Sequence, residues 1–192
     1  MCGGWEMQRE WASDRDQNPS PTGRNICLNQ AMNEPKIRSE ILETGNPKIN
    51  SARIVIDAPA EKIFALLSNP RKHSQLDGTG TLRDTIFGPE KLVLGSKFGM
   101  NMHLGIDYRI TNTVEEYEEN RLIAWRHLGR WRWRHELLIL GPNQTQVTET
   151  FDGSYAPWWS QIWLRARKAY PWTQMAVAKS LVTLKLVCES SD

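Results

Sequence analysis

The sequence predicts an α+β fold in which a curved antiparallel sheet of about seven strands wraps around a long C-terminal helix. Three observations carry this reading. A strand runs into a helix over residues 52–70, alternating segments follow one another from residue 81 to 151, and an apolar stripe at helical spacing closes the chain. A closing helix with one broad apolar face needs a sheet to cover it.

In the opening unit, ARIVIDAPAEKIFALLSNP, Ala52, Ile54 and Ile56 share one face at period two, while Ile63, Phe64, Leu66 and Leu67 group at helical spacing. Pro59 supplies the fixed φ tolerated at a helix start, Glu61 stands in the first turn, and Pro70 forbids continuation. Residues 81–87 form the next strand, ended by Gly-Pro. Residues 97–108 alternate throughout, with Phe98, Met100, Met102, Leu104, Ile106 and Tyr108 on one face and Lys97, Asn101, His103 and Asp107 on the other. Strands at 109–117 and 121–127 join at Glu118-Glu119-Asn120. Strands at 131–140 and 145–151 join near Gly141-Pro142-Asn143, where Pro presets φ and Asn tolerates the left-handed region. Residues 157–168, PWWSQIWLRARK, read as a short helix or lid. The last helix runs from about Trp172 to Glu189 with Met175, Ala178, Leu181, Val182, Leu184 and Val187 on its stripe.

Before residue 48 the chain is rich in Asn, Ser, Pro, Gly and charge without a sustained period, and such a segment buries too little apolar surface to offset its ordering entropy. Residues 1–47 are therefore expected to be a flexible extension and residues 48–190 the folded domain. A short helix at 34–44 is the one element the spacing predicts there, with Ile37, Ile41 and Leu42 on one face.

The opening unit, RLIAWRH at 121–127, WRHEL at 133–137 and QVTETFD at 146–152 resemble the SRPBCC superfamily, the START and Bet v 1-like group, in its polyketide cyclase/dehydrase and lipid-transport branch. The resemblance covers roughly residues 50–188 and rests on pattern and order, with no catalytic signature. It implies a helix-grip fold with a hydrophobic cavity between sheet and C-terminal helix, used by members for transport, sensing, cyclisation or dehydration.

Composition narrows the classes further. The 24 basic and 22 acidic residues nearly cancel, so no global field favours nucleic acid. Cys2, Cys27 and Cys188 lie far apart without metal-ligand spacing, no Gly-rich phosphate loop, Gly-x-Ser-x-Gly elbow or His-Glu-x-x-His helix occurs, and neither a metal nor a cofactor is expected. With no apolar run long enough to span a bilayer and no signal-peptide pattern, a cytoplasmic protein is expected.

A three-residue loop at 141–143 would set Leu137 opposite Val147 and His135 opposite Glu149, bringing an imidazole and a carboxyl together on an apolar face. Desolvation there would raise the carboxyl pKa, or the two would pair. His135 and Glu149 are accordingly the candidate proton-transfer residues or head-group anchors. Nine tryptophans exceed ordinary use, and Phe98, Met100, Met102, Tyr108, Trp125, Trp133, Phe151 and Trp163 are the candidate ligand-binding residues. Arg132 and Arg134 alternate with Trp131 and Trp133 along a strand, so the charges and the rings separate onto opposite faces, against a nucleic-acid platform. Trp158, Trp159 and Trp163 beside the basic residues suit transient contact with a membrane surface. The expected function is binding of a hydrophobic small molecule, lipid or polyketide-like. The alternatives are a cyclase or dehydratase using His135 and Glu149, and an interaction module whose cavity is filled by residues such as Trp133 and Phe151.

Overall fold

The computed structural model describes residues 37–103 and 105–190. Eight strands form one antiparallel sheet: β1 (Glu40–Leu42), β2 (Ile49–Ile56), β3 (Leu82–Phe87), β4 (Lys97–His103), β5 (Asp107–Glu118), β6 (Leu122–His127), β7 (Arg132–Gly141) and β8 (Gln144–Asp152), in the order β1-β2-β8-β7-β6-β5-β4-β3. Strands β3 to β8 form a meander, and β2 joins its far edge by pairing with β8, Ala52 opposite Glu149 and Ile54 opposite Val147. Between β2 and β3 the chain crosses the sheet through α1 (Ala60–Leu67), a 3₁₀ turn (Pro70–Lys72) and the one-turn α2 (His73–Leu76). Helix α3 (Trp158–Ala166) then leads into α4 (Ala169–Glu189), which lies across the sheet over β2 and β8. The α+β architecture is the one the sequence predicts.

Helix α1 follows from its pattern. Pro59 holds extended geometry at the cap position, Ile63, Phe64 and Leu67 are buried, and Asn69 caps the 3₁₀ turn by accepting from Arg71 N at 3.0 Å. Pro70 ends the α-helix yet opens that turn, because a first-turn proline lacks only a hydrogen that no helical partner needs. This turn delivers His73 to the interior.

Four local expectations change. The eighth strand is β1, at Glu40–Leu42, where spacing predicts a helix over 34–44; residues 34–36 lie outside the described ones. Edge pairing with β2 overrides the short helical pattern, helped by the two-pronged Arg53–Glu40 pair at 2.7 and 2.9 Å, and Ser39 Oγ donates to Ala178 O at 2.9 Å. Residues 97–108 are two strands, broken by Gly105 at φ 77° and closed by a His103 Nδ1–Asp107 contact of 2.6 Å. Met102 pairs with Tyr108, so both keep the same face and the alternation passes unbroken through a hairpin. The final helix begins at Ala169, three residues early, because Pro171 falls in its first turn, and Lys168 at φ 50° makes the corner. Its buried face runs through Thr173, Val177, Leu181, Leu184 and Cys188, turning Met175 outward.

The β7–β8 connection is a two-residue turn, Pro142-Asn143, with Gly141 opposite Gln144. A one-residue slip between Ile139 and Gly141 restores the pairing a three-residue loop would set. His135 therefore stands opposite Glu149, and Leu137 opposite Val147. On the convex face another irregularity, between Val114 and Glu116, turns two successive carboxylates outward. Glu115 pairs with Arg126 and with Arg132 at 3.1 Å, while Glu116 pairs with Arg134 at 3.0 Å and Arg132 at 3.6 Å. Trp125 and Trp133 lie on the concave side.

Candidate functional site

The site is built on the concave row that crosses β6, β7 and β8. Ile123, His135 and Glu149 stand side by side there, with Ala52 of β2 next in line. His135 is 6% exposed and Glu149 4%. Their Nε2 and Oε1 atoms are 3.7 Å apart, within ion-pair range but too far for a hydrogen bond. Burial pulls the imidazole down to about 3, and burial, with the nearby Asp77 charge, holds the Glu149 carboxyl well above the usual carboxylate range. Burial thus drives both members of the contact toward their neutral forms.

The aromatic rings of the next row fix these groups. Trp125 stacks on two imidazoles, His135 at 5.1 Å and 27° and His73 at 5.0 Å and 21°. Phe98 presents an edge to both Trp125 and His73. His73 reaches this position from α2 and is locked by a 2.7 Å hydrogen bond, its Nε2 donating to Leu67 O; that bond favours the cation, but desolvation wins and brings the group to about 4. Asp77, at the end of α2, accepts from Thr79 N, Thr79 Oγ1, Thr81 Oγ1 and Leu82 N at 2.6–3.3 Å. Its oxygens are fully engaged at the chamber wall.

These groups enclose an inner chamber of about 120 Å³ under α4. Met100, Met102, Trp125, Trp133, His135 and Glu149 line it. An outer groove of about 810 Å³ opens between β5, the β6–β7 turn and α3, with Tyr108 and Trp163 on its walls. Ile110 and His127 line both spaces, so the chamber adjoins the groove. Phe98 and Phe151, 0% and 1% exposed, line neither. They pack against the lining rings, Phe98 edge-on to Trp125 at 5.7 Å and Phe151 edge-on to its strand neighbour Trp133 at 5.2 Å.

Helix α3 forms the outer lip. Ser160 Oγ donates to Gly129 O at 3.0 Å, Tyr170 donates to Gln161 Oε1 at 2.7 Å, and Trp163 stacks on Trp131 at 5.6 Å, nearly parallel. Trp158, Trp159 and Ile162 remain exposed, Trp158 at 76%, and Leu128 on the neighbouring turn is 87% exposed. The same helix ends in exposed Arg165, Arg167 and Lys168.

Sequence reasoning passed over His73, Asp77, Asn112 and His127. Asn112 sits at an inward position of β5 opposite His127, a polar residue where the alternation calls for an apolar one, and that interruption was the available signal. His73 follows a helix-breaking proline and had none. Among the described residues no three His, Cys, Asp or Glu side chains group as metal ligands would.

A curved antiparallel sheet closed by a C-terminal helix over an apolar chamber defines the helix-grip class. No family model matches the chain. It is 44% identical over 113 residues to the uncharacterized protein Rv0088 of Mycobacterium tuberculosis, a match covering 58% of this chain and 50% of that protein; the chain thus spans about half the length of the curated relatives it matches. Among solved structures, the Polyketide_cyc-like protein Cgl2372 of Corynebacterium glutamicum superposes with a TM-score of 0.52 at 18% identity, covering 73% of this chain and 91% of the other. The Zhui aromatase/cyclase of Streptomyces sp. R1128 does so at 0.54 and 15%, covering 73% and 93%. At such identities the likeness is one of fold, consistent with the SRPBCC fold.

Proposed function

We propose that the protein binds a hydrophobic small molecule, lipid or polyketide-like, between the sheet and the C-terminal helix. The observation that carries this reading is the chamber adjoining the groove, walled by methionine and tryptophan and reaching the surface beside α3. Space remains in front of Trp133, which favours a binding site over a filled interaction module. In this reading the protein works in the cytoplasm, and no nucleic acid is its partner: the arginines of the convex face are taken up by Glu115, Glu116 and Glu136. Native mass spectrometry of the purified protein, followed by organic extraction, tests the reading. A reproducible adduct of lipid or polyketide mass supports it, and an unliganded mass persisting after incubation with a panel of hydrophobic ligands rejects it.

Two refinements follow from separate observations. The lipid-transport branch fits the exposed Trp158, Ile162 and Leu128 beside Arg165, Arg167 and Lys168, an apolar surface with a basic border suited to transient docking on anionic lipid. Flotation with phosphatidylserine vesicles in low salt should carry the protein upward, and its staying in the dense fraction would remove this step. The cyclase/dehydratase branch fits His135 and Glu149. The protonated Glu149 can give its hydrogen to a carbonyl oxygen of a bound polyketone while neutral His135 takes one from the adjacent carbon, leaving an enol. In this reading Glu149→Gln loses turnover and keeps binding.

A further inference from the structure

Strand β5 runs on past the strand beside it. It pairs with β4 along residues 107–113, but β6 accompanies it only from Asn112 onward, where His127 is the last partner before the chain turns away. Residues 107–111 therefore have a strand neighbour on one side only. On the other side lies the outer groove of about 810 Å³, closed by the β6–β7 turn and α3.

Backbone alternation fixes what this stretch offers to the groove. Val114 N donates to Ser96 O at 2.9 Å and Val114 O accepts from Gly95 N at 3.0 Å, so Val114 turns its peptide groups toward the β4 side. The pairing of β4 with β5 has no slip, so Asn112, Ile110 and Tyr108 do likewise, and Arg109 and Thr111 turn theirs into the groove. Neither the β6–β7 turn nor α3 makes a backbone hydrogen bond to the N–H or C=O of Arg109 or to the N–H of Thr111. Both residues are exposed. A strand edge with free donors and acceptors is a template for one more strand.

The side chains narrow which strand fits. Lys97 and Arg109 line the groove from the convex side and form no ion pair with a carboxylate of the described residues, and Arg167 stands over the Trp163 ring at 6.0 Å. On the concave side the half-buried Tyr108 and Ile110 share the groove wall with Trp163. A second copy of the same edge would set arginine against arginine, which opposes self-pairing. An incoming strand that alternates acidic and apolar residues matches both rows at once, because residues side by side in a sheet point to the same face.

We propose that residues 107–111 of β5 form a docking edge for an extended acidic segment of a partner protein, which joins the sheet as an antiparallel strand with its carboxylates toward Arg109 and Lys97 and its apolar side chains beside Tyr108 and Ile110. Such a segment spans roughly 17 Å. Its acidic residues stand opposite Arg109 and Thr111 and so exchange the backbone hydrogen bonds, while its apolar residues turn their N–H groups away. The proposal stands apart from the ligand reading, since it requires nothing of the inner chamber.

The test uses the full chain and a fluorescein-labelled peptide, Glu-Val-Glu-Val-Glu, followed by anisotropy in low salt. It is expected to bind at least about tenfold more tightly than Lys-Val-Lys-Val-Lys. N-methylating the glutamates removes the N–H groups aimed at β5 and should weaken binding about tenfold or more, whereas N-methylating the valines should change it by less than about threefold. Arg109→Glu, a change at an exposed position, should reverse the preference between the two peptides with an unaltered unfolding midpoint. Equal effects of the two methylation patterns would mean that charge alone holds the peptide, and would overturn the strand pairing. Absence of a preference for the glutamate peptide, or of binding by either peptide, overturns the proposal as well. None of these outcomes touches the ligand reading, which native mass spectrometry decides separately.

Discussion

The polar residues of the chamber are held against their own stability. Glu149 keeps its proton in the folded state at a pH where the unfolded chain has released it, so folding must take one up. Its folded pKa lies above the ordinary 4.5, so the penalty is absent below that value and grows as pH rises toward the folded pKa. Glu149→Gln, which keeps shape and removes the charge, should therefore unfold at higher denaturant than the wild type near neutral pH, with the difference shrinking as pH approaches 4.5. Asn112 offers a second such case. Replacing its unpaired amide by an apolar group of similar size, Asn112→Leu, is expected to stabilise the protein by roughly 1 kcal/mol in the same measurement, because no hydrogen bond is lost and a desolvation cost disappears. Of this chemistry the sequence showed the His135–Glu149 pair, through strand parity and a turn. It did not show that burial drives both members toward their neutral forms, which depends on α2 and α4 closing over them.

Among the elements, α3 departs furthest from the amphipathic pattern of a buried helix. Its inward residues are Ser160, Gln161 and Leu164, two of them polar, and its apolar residues Trp158, Trp159 and Ile162 face out. Hydrogen bonds to the β6–β7 turn and to α4 anchor it, so the outer rings are free of structural duty. The double substitution Trp158→Gln with Ile162→Gln should leave the unfolding free energy within about 0.5 kcal/mol of wild type and abolish flotation with anionic vesicles. A large loss of stability would show that these side chains pack after all. The other elements carry their instructions more plainly: α1 through its buried Ile63, Phe64 and Leu67, β7 and β8 through alternation. The hairpin between β4 and β5 was hidden because Met102 and Tyr108 have the same parity and are also paired, so the alternation is continuous across the turn. Strand β1 was hidden for a different reason, since three residues on a sheet edge have no period and exist only because β2 offers a partner.

For the molecule as a whole, the three chamber-lining histidines govern the response to acid. Burial pulls His73 and His127 to about 4 and His135 to about 3, all below the ordinary 6.5. Between 6.5 and about 4 the unfolded chain binds these protons and the folded one does not, so each histidine contributes stability that is present above 6.5 and lost as pH falls through that window. Glu149 opposes this slope, one group against three. The thermal midpoint is expected to drop steadily on acidification from 6.5 to about 4, and His135→Phe should flatten the drop; a midpoint that stays level would show that the imidazoles are charged in the folded protein. By itself the sequence determined the fold class, the succession of strand, helix, strands and closing helix after residue 48, the face shared by His135 and Glu149 and the separation of arginines from tryptophans, because these follow from periodicity; the slip between Ile139 and Gly141 that completes the β7–β8 register does not. Only the tertiary structure decided that Trp125 stacks on both His73 and His135, that Phe98 and Phe151 stand behind the lining, and that no lysine or arginine of the described residues lines the chamber. Periodicity says which way a side chain points. How much protein lies in front of it, and hence its solvation and charge, is set by α2 and α4, which come from other parts of the chain.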